Sequence, residues 1–228
     1  MFKKSISNKH KESVGVGVGK LILQVGIIGS AGTEEYLKGW RSPKGLIKAV
    51  KTIGELLGDQ GATIVTGGGG GIMSTVAKAG IKKKSITIGF FNTLNDIGVG
   101  DIYTVGITTG MMEGGPEYLL PLSSDIMIAV SGGAGTLNEM TVAYRNQVPV
   151  ILLRGFGGWV DKIIPLLFDG KYLDERKRIP FFIADSPKEA VKIAICEGIK
   201  RLKSIVKKGK VFYAKENKKR KGVRSIMY

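Results

Sequence analysis

The feature that most constrains the fold is an alternation, sustained from residue 21 onward, of short apolar runs that end in glycine with segments of helical period. LILQVGIIG (21–29) is a near-continuous apolar run, as a strand buried on both faces requires. Residues 43–58, with Pro43 near the start and Gly58 at the end, space Leu46, Ile47, Val50, Ile53, Leu56 and Leu57 for one helix face. ATIVTG (62–67), a helix IMSTVAKAG closed by Gly80, and ITIGFF (86–91) continue the pattern. DIMIAVSGG (125–133), a helix TLNEMTVAYRNQ, PVILL (149–153), a helix over 159–168 interrupted by Pro165, FFIA (181–184) and a closing helix from Pro187 complete it. Residues 92–122, rich in Gly and Thr, resist assignment beyond a short strand near Ile102 to Val105, and are expected to fold over a ligand. The expectation is an α/β, Rossmann-like, doubly wound and mainly parallel sheet of six or seven strands, with no solenoid repeat.

Charge divides the chain further. The net charge is +16, yet residues 200–228 hold 12 basic residues against 1 acidic and residues 1–20 hold 5 against 1, leaving 18 against 17 for 21–199. This gives a basic N-terminal extension (1–20), a nearly neutral nucleotide-binding domain (21–199), and a basic helix end and tail (200–228). Phe212 and Tyr213 between basic clusters would allow a nucleic-acid contact, but a solvated, partly disordered extension is the favoured reading. No apolar run has membrane-spanning length and no apolar segment follows the first lysines, so a cytoplasmic protein is expected. A single Cys196 and a single His10 leave neither a disulfide framework nor a Cys- or His-based metal site, and no cofactor is expected.

Two strands run into glycine, at Gly67 to Gly71 and at SGGAGT (131–136). Such turns bring backbone close to a phosphate and aim helix N-terminal amides at it. Neither is a dinucleotide fingerprint, because Ile72 and Met73 stand where the third glycine would fall, and GVGVGK (15–20) precedes a strand instead of following one. In the second turn Thr136 is expected to cap the helix, with the amides of Gly133 to Thr136 facing an anion. Glu139 lies one turn in, kept ionised by the helix dipole as a base or charge stabiliser. Thr136 and Glu139 equally fit a capping box, and spacing alone leaves both roles open.

SSDIMIAVSGGAGTLNE, with TGGGGGIMSTVAKAG upstream, resembles the LOG superfamily over about residues 21–199, on its motif P-G-G-x-G-T-x-x-E. That group includes cytokinin-activating phosphoribohydrolases, which release the base from nucleoside 5'-monophosphates, and a branch similar to molybdenum-cofactor carriers. The resemblance implies phosphate binding by Gly132, Gly133, Ala134, Gly135 and Thr136, a nucleotide cleft lined by Gly68, Gly69, Gly70 and Gly71, and a catalytic Glu139. It also implies a homodimer and an AMP-like or pterin-like phosphorylated ligand. N-glycosidic cleavage passes through an oxocarbenium-like state that a carboxylate stabilises, and Glu113 or Glu117 is a further carboxylate candidate.

This chain departs from the pattern twice. Ser131 replaces the signature proline, a change expected to affect loop stiffness more than chemistry. The family's hydrolases carry an Arg-Lys pair before Ser-Asp, whereas here Pro116 and Glu117 stand in that segment, and residues 85–144 contain no Lys, Arg or His. Arg41, Arg145 and Arg154 are the candidate substitute cations. The absent pair opens the alternative of a non-catalytic nucleotide or molybdenum-cofactor carrier. Trp40, Trp159, Met111 and Met112 are expected to serve packing.

Overall fold

A computed structural model describes residues 22–31, 45–92, 102–111 and 114–224, with side chains to residue 208. The N-terminal extension, Trp40, Arg41, Met112 and Glu113 lie outside the described residues. Seven strands form one parallel sheet: β1 (Gln24–Gly29), β2 (Thr63–Thr66), β3 (Thr87–Phe91), β4 (Val105–Thr108), β5 (Ile126–Val130), β6 (Val150–Leu153) and β7 (Phe181–Ala184). Their order is β4-β3-β2-β1-β5-β6-β7. Six helices are described: α1 (Leu46–Asp59), α2 (Ile72–Lys82), α3 (Pro116–Leu122), α4 (Ala134–Arg145), α5 (Gly158–Ile163) and α6 (Pro187–Arg224). The expected doubly wound parallel sheet is the architecture found.

Period-two alternation divides each central strand between two apolar layers. Val25, Ile27, Ile64, Ile126, Ile128 and Ile151 face α1, α2 and α6, packing on Leu46, Val50, Ile53, Ile72, Val76 and Ala194. Ile28, Val65, Met127, Ala129 and Leu152 face the other way, onto Leu120 of α3, Met140 and Tyr144 of α4 and Val160 of α5. Burial on both faces explains why the strands read as continuous apolar runs.

Several boundaries differ from the sequence reading. α2 does not stop at Gly80 but passes through it to Lys82; a Cβ at Gly80 would lie 2.4 Å from the Ile64 side chain, so this glycine serves helix-to-sheet packing. The strand expected near 102–105 is β4, displaced to Val105–Thr108, and α3 emerges from the stretch left unassigned, opened by Pro116 at its first turn. Pro165 does end the regular helix, since α5 passes into a 3₁₀ turn over Ile164–Leu166. α6 continues to Arg224, beyond the end expected at Val206 and into the basic tail. Its Lys, Arg, Glu and Ala content favours helix over coil. Arg201 ties α6 to the sheet, donating to the carbonyls of Gln147 (3.2 Å) and Ser124 (3.3 Å). Among the described residues no helix is long and apolar enough to cross a membrane.

The chain leaves β1 toward β2 on one side, and leaves β5, the other neighbour of β1, in the opposite direction. That reversal places the crevice of a doubly wound sheet beyond the carboxyl ends of β1 and β5.

Candidate functional site

Gly29 and Val130 are in register at the ends of β1 and β5, so the next residues, Ser30 and Ser131, meet at this crevice. Ser30 Oγ donates to Ser131 Oγ (3.0 Å) and accepts the backbone N–H of Gly132 (3.1 Å). The Ser30 carbonyl accepts from the amide of Ile72 (3.2 Å), the first residue of α2. One residue therefore joins β1 to both glycine turns. Ser30 carried no motif in the sequence; its only signal was its position after an apolar strand.

Ser131 adopts φ 60°. A proline ring holds φ near −65°, so the proline of the family signature does not fit this backbone. The departure at Ser131 thus alters conformation, beyond the change in stiffness expected. Gly132 follows at φ 95°, where a Cβ would sit 2.3 Å from Thr136 Oγ1. On the other side α5 closes in, with the amides of Trp159 and Val160 donating to the carbonyls of Gly132 (2.9 Å) and Ser131 (3.3 Å). Trp159 packs against the second apolar layer, in keeping with a packing role.

The carbonyls of Ser131 and Gly132 and the amide of Gly132 are thereby consumed internally, so Gly132, expected among the phosphate donors, has its N–H on Ser30 instead. α4 begins at Ala134 with Gly133 as its N-cap, and the first helical bond outside the regular ladder runs from Leu137 N to Gly133 O (3.1 Å). The amides of Gly133, Ala134, Gly135 and Thr136 have no acceptor among the described residues. Gly133 and Ala134 are exposed, and a Cβ on Gly133 would meet nothing within 4 Å. These are the orphan donors of a helix start, at its electropositive end. Thr136 is buried at the third helical position and is not the cap, so Thr136 and Glu139 form no capping box. The N-cap falls three residues earlier than expected because glycine in an extended conformation (φ −101°, ψ −153°) takes it.

Glu139 is the second difference. It is 9% exposed, has no hydrogen-bond partner among the described residues, and is pushed up to about 8 by burial and then by the Glu117 carboxylate. The expectation that the helix dipole keeps it ionised fails on magnitude. A helix terminus contributes about 0.3–1 kcal/mol over one turn, whereas burial in apolar surroundings moves a carboxyl by several times that. At neutral pH Glu139 carries a proton.

No spacing in the sequence favours Glu117, and its importance is tertiary. α3 packs along α4, and Glu117 in its first turn reaches over Gly135, where a Cβ would lie 2.7 Å from Glu117 Oε1. Its other oxygen accepts from Asn138 Nδ2 at 2.5 Å. Gly135, Asn138 and Glu139 are spaced i, i+3 and i+4 and so share one face of α4. The first turn, Gly68 to Gly71, lies after β2. Gly68 sits at φ 72° where a Cβ would fall 2.6 Å from the Phe90 carbonyl, and its amide donates to Thr66 Oγ1 (3.1 Å). Thr66 in turn donates to the buried Tyr103 hydroxyl (3.0 Å), whose ionisation burial pushes up to about 12. Gly68 is therefore engaged in packing against β3, while Gly69 and Gly70 remain half-buried on the crevice edge.

Of the candidate cations, Arg41 lies outside the described residues, and the two that are described are committed elsewhere. Arg145 closes the last turn of α4, about 17 Å from its start at 1.5 Å per residue. Arg154 follows β6 on the correct edge but grips the Asp185 carboxylate through Nε and Nη2. Two clefts lie elsewhere: about 360 Å³ between α1 and α6, including Leu56, Val191 and Cys196, and about 580 Å³ at the amino ends of β6 and β7, including Phe182 and Arg201. Neither is lined by a residue singled out from the glycine turns.

The fold and the paired glycine turns define a LOG-type Rossmann protein. The SLOG cluster4 family model matches residues 22–191, and the chain belongs to that family. It is 25% identical over 179 residues to an uncharacterized protein of Archaeoglobus fulgidus, covering 78% of this chain and 99% of that one. Among solved structures, the structural-genomics target TM1055 is 28% identical with a TM-score of 0.68, over 75% of this chain and 98% of that chain. The molybdenum cofactor binding protein of Rippkaea orientalis is 25% identical with a TM-score of 0.59, over 82% and 99%.

Proposed function

We propose that this protein binds a phosphorylated, nucleotide-like or pterin-like ligand, with the phosphoryl group on the amides of Gly133, Ala134, Gly135 and Thr136 and the rest of the ligand along Gly68 to Gly71. The observation that carries this reading is the set of four adjacent amides without acceptors among the described residues, at a helix start on the switch-point crevice where Gly133 and Ala134 are exposed. Backbone donors at such a start bind phosphate without any side-chain contribution. Likeness to the Rippkaea orientalis protein, named for binding the molybdenum cofactor, supports the pterin-like class.

Binding without turnover is the primary reading. Glu117 occupies the segment where the LOG resemblance places an Arg-Lys pair, so the position offers negative charge where the hydrolases have positive. Calorimetry with AMP and with a phosphorylated pterin tests it. Saturable binding without released base is expected, and absence of affinity for every phosphorylated ligand overturns it. A second reading, hydrolysis of nucleoside 5'-monophosphates, is favoured by Glu139 itself. A carboxyl that keeps its proton to about pH 8 beside a phosphate cradle suits a general acid delivering a proton to the departing base. Under that reading AMP yields adenine and ribose 5-phosphate, and Glu139→Gln abolishes the yield.

A further inference from the structure

We propose that α6 beyond Val206 is a DNA-binding arm, which lies as a helix in the major groove of double-stranded DNA and holds the two phosphate strands without reading their sequence. The inference goes beyond the ligand-binding reading above and does not depend on it.

The first argument is where the charge sits. Residues 21–199 carry 18 basic residues against 17 acidic and offer a polyanion little net attraction, whereas residues 207–224 of α6 carry nine against one, Glu216. Arg201 is the last residue of α6 with a described bond to the sheet, to the carbonyls of Gln147 and Ser124 shortly ahead of β6 and β5. Beyond it Lys203, Ser204, Ile205, Lys207 and Lys208 are exposed. The charged segment thus departs from the amino ends of the strands, opposite the crevice at their carboxyl ends.

The second argument is that the helix opposes itself when alone. At three- and four-residue spacing Lys215 is followed by Lys218 and Lys219, Lys218 by Lys221, and Arg220 and Lys221 by Arg224. Like charges at these spacings destabilise a helix. A row of negative charges from outside relieves every such pair at once.

The third argument is shape, which decides among polyanions. At 3.6 residues per turn the nine basic positions cover about 260° of the helix circumference. A helix lying on a membrane needs one sustained apolar face. Here Val211, Phe212, Tyr213 and Ala214 are consecutive, so their positions fall in four different directions. Two adjacent aromatic residues also make no run of stacking platforms for a single strand. A helix is about 10–12 Å across, and the major groove of B-DNA is about 12 Å wide, so charge around most of the circumference faces a phosphate strand on either side. The major groove of an RNA duplex is too deep and narrow to admit it. Residues 207–224 span about 27 Å at 1.5 Å per residue, the length of about eight base pairs. Seven of the nine are lysines, point charges suited to phosphate, where arginine would pair with guanine through two hydrogen bonds. Binding is therefore independent of sequence.

The test is fluorescence anisotropy of the full chain with a labelled DNA duplex of about 20 base pairs, in salt from about 50 to 200 mM. With five or six phosphates neutralised, log affinity should fall against log salt with a slope of about −5, a loss of about 1,000-fold over that range. A duplex of shuffled sequence should bind alike. Replacing Lys218→Gln, Lys219→Gln, Arg220→Gln and Lys221→Gln together should flatten the slope by about 3 to 4, since glutamine keeps helix propensity and removes four charges. Ala214→Pro keeps every charge but breaks the helix, and should weaken binding about 10-fold or more. Both variants lie beyond the bonds of Arg201 and should melt at the native temperature. No binding, a flat salt dependence, or native affinity in Ala214→Pro overturns the proposal. So does binding as tight or tighter to single-stranded DNA, to an RNA duplex, or to vesicles of equal parts phosphatidylserine and phosphatidylcholine.

Discussion

Replacing Glu139 by Gln should change how stability depends on pH, and the size of the change follows from its surroundings. Glu139 titrates at about 8 in the folded protein against 4.5 ordinarily, with burial as the larger cause and Glu117 as the lesser. Between those values the folded chain holds a proton that the unfolded chain has released. Stability is thus fully present below about pH 4.5 and falls as pH rises through about 8. Each pH unit in this window costs about 1.4 kcal/mol, so the whole window is worth about 5 kcal/mol as an upper bound. From pH 6 to pH 8 the native chain should lose about 2 kcal/mol relative to Glu139→Gln, a large share of a domain's typical stability of about 5–15 kcal/mol. Urea unfolding in EDTA at several pH values measures this, with the slope m equal in the two proteins. An unpaired glutamine amide shifts the variant's curve by a pH-independent amount, so slopes are compared and not intercepts. Other titrating groups, such as Asp125, raised chiefly by burial, are common to both proteins and cancel. Glu117→Gln should move the curve only partway, since burial remains. Parallel pH profiles for the native chain and Glu139→Gln would refute the placement of Glu139 as a buried, protonated carboxyl.

Three further outcomes are expected. Ser131→Pro restores the family's signature residue but forces φ away from 60°; it should lower the melting temperature by several degrees and weaken AMP binding, and an unperturbed variant would show that the turn is built otherwise. Ser30→Ala removes the bond to Ser131 and leaves the buried Gly132 amide without its acceptor, at a cost of about 1–3 kcal/mol measurable by urea unfolding; an unchanged midpoint would mean that Ser30 joins nothing. Arg154→Ala should leave both AMP affinity and melting temperature unchanged, because its exposed pair with Asp185 is solvent-screened. A fall in affinity would make Arg154 the phosphate's cation after all.

Whatever depended on local pattern was legible in the sequence. Six strands announced themselves as apolar runs because both faces of a parallel sheet are covered, and the turn at 131–136 announced itself by glycine after a strand. Features set by tertiary contact were hidden. Gly80 reads as a helix stop in sequence, but the proximity of Ile64 gives it another purpose. Glu117 acquires meaning only because α3 packs on α4, and α3 itself lay concealed in a Gly- and Thr-rich stretch whose one helical signal was Pro116. Thr136 reads as a cap in sequence but lies at the third helical position, because Gly133 caps in its stead. The ionisation of Glu139 is hidden from the sequence because a dipole is a sequence-local effect, whereas burial and a carboxylate from another helix are not.

The central claim, that the amides from Gly133 to Thr136 receive a phosphoryl group, is tested most directly by amide NMR during titration with AMP. The amide protons of Gly133, Ala134, Gly135 and Thr136 should move downfield together and saturate at one affinity, as donors do on acquiring a charged acceptor. Stationary amides at these four positions, while signals elsewhere respond to the nucleotide, would contradict the account.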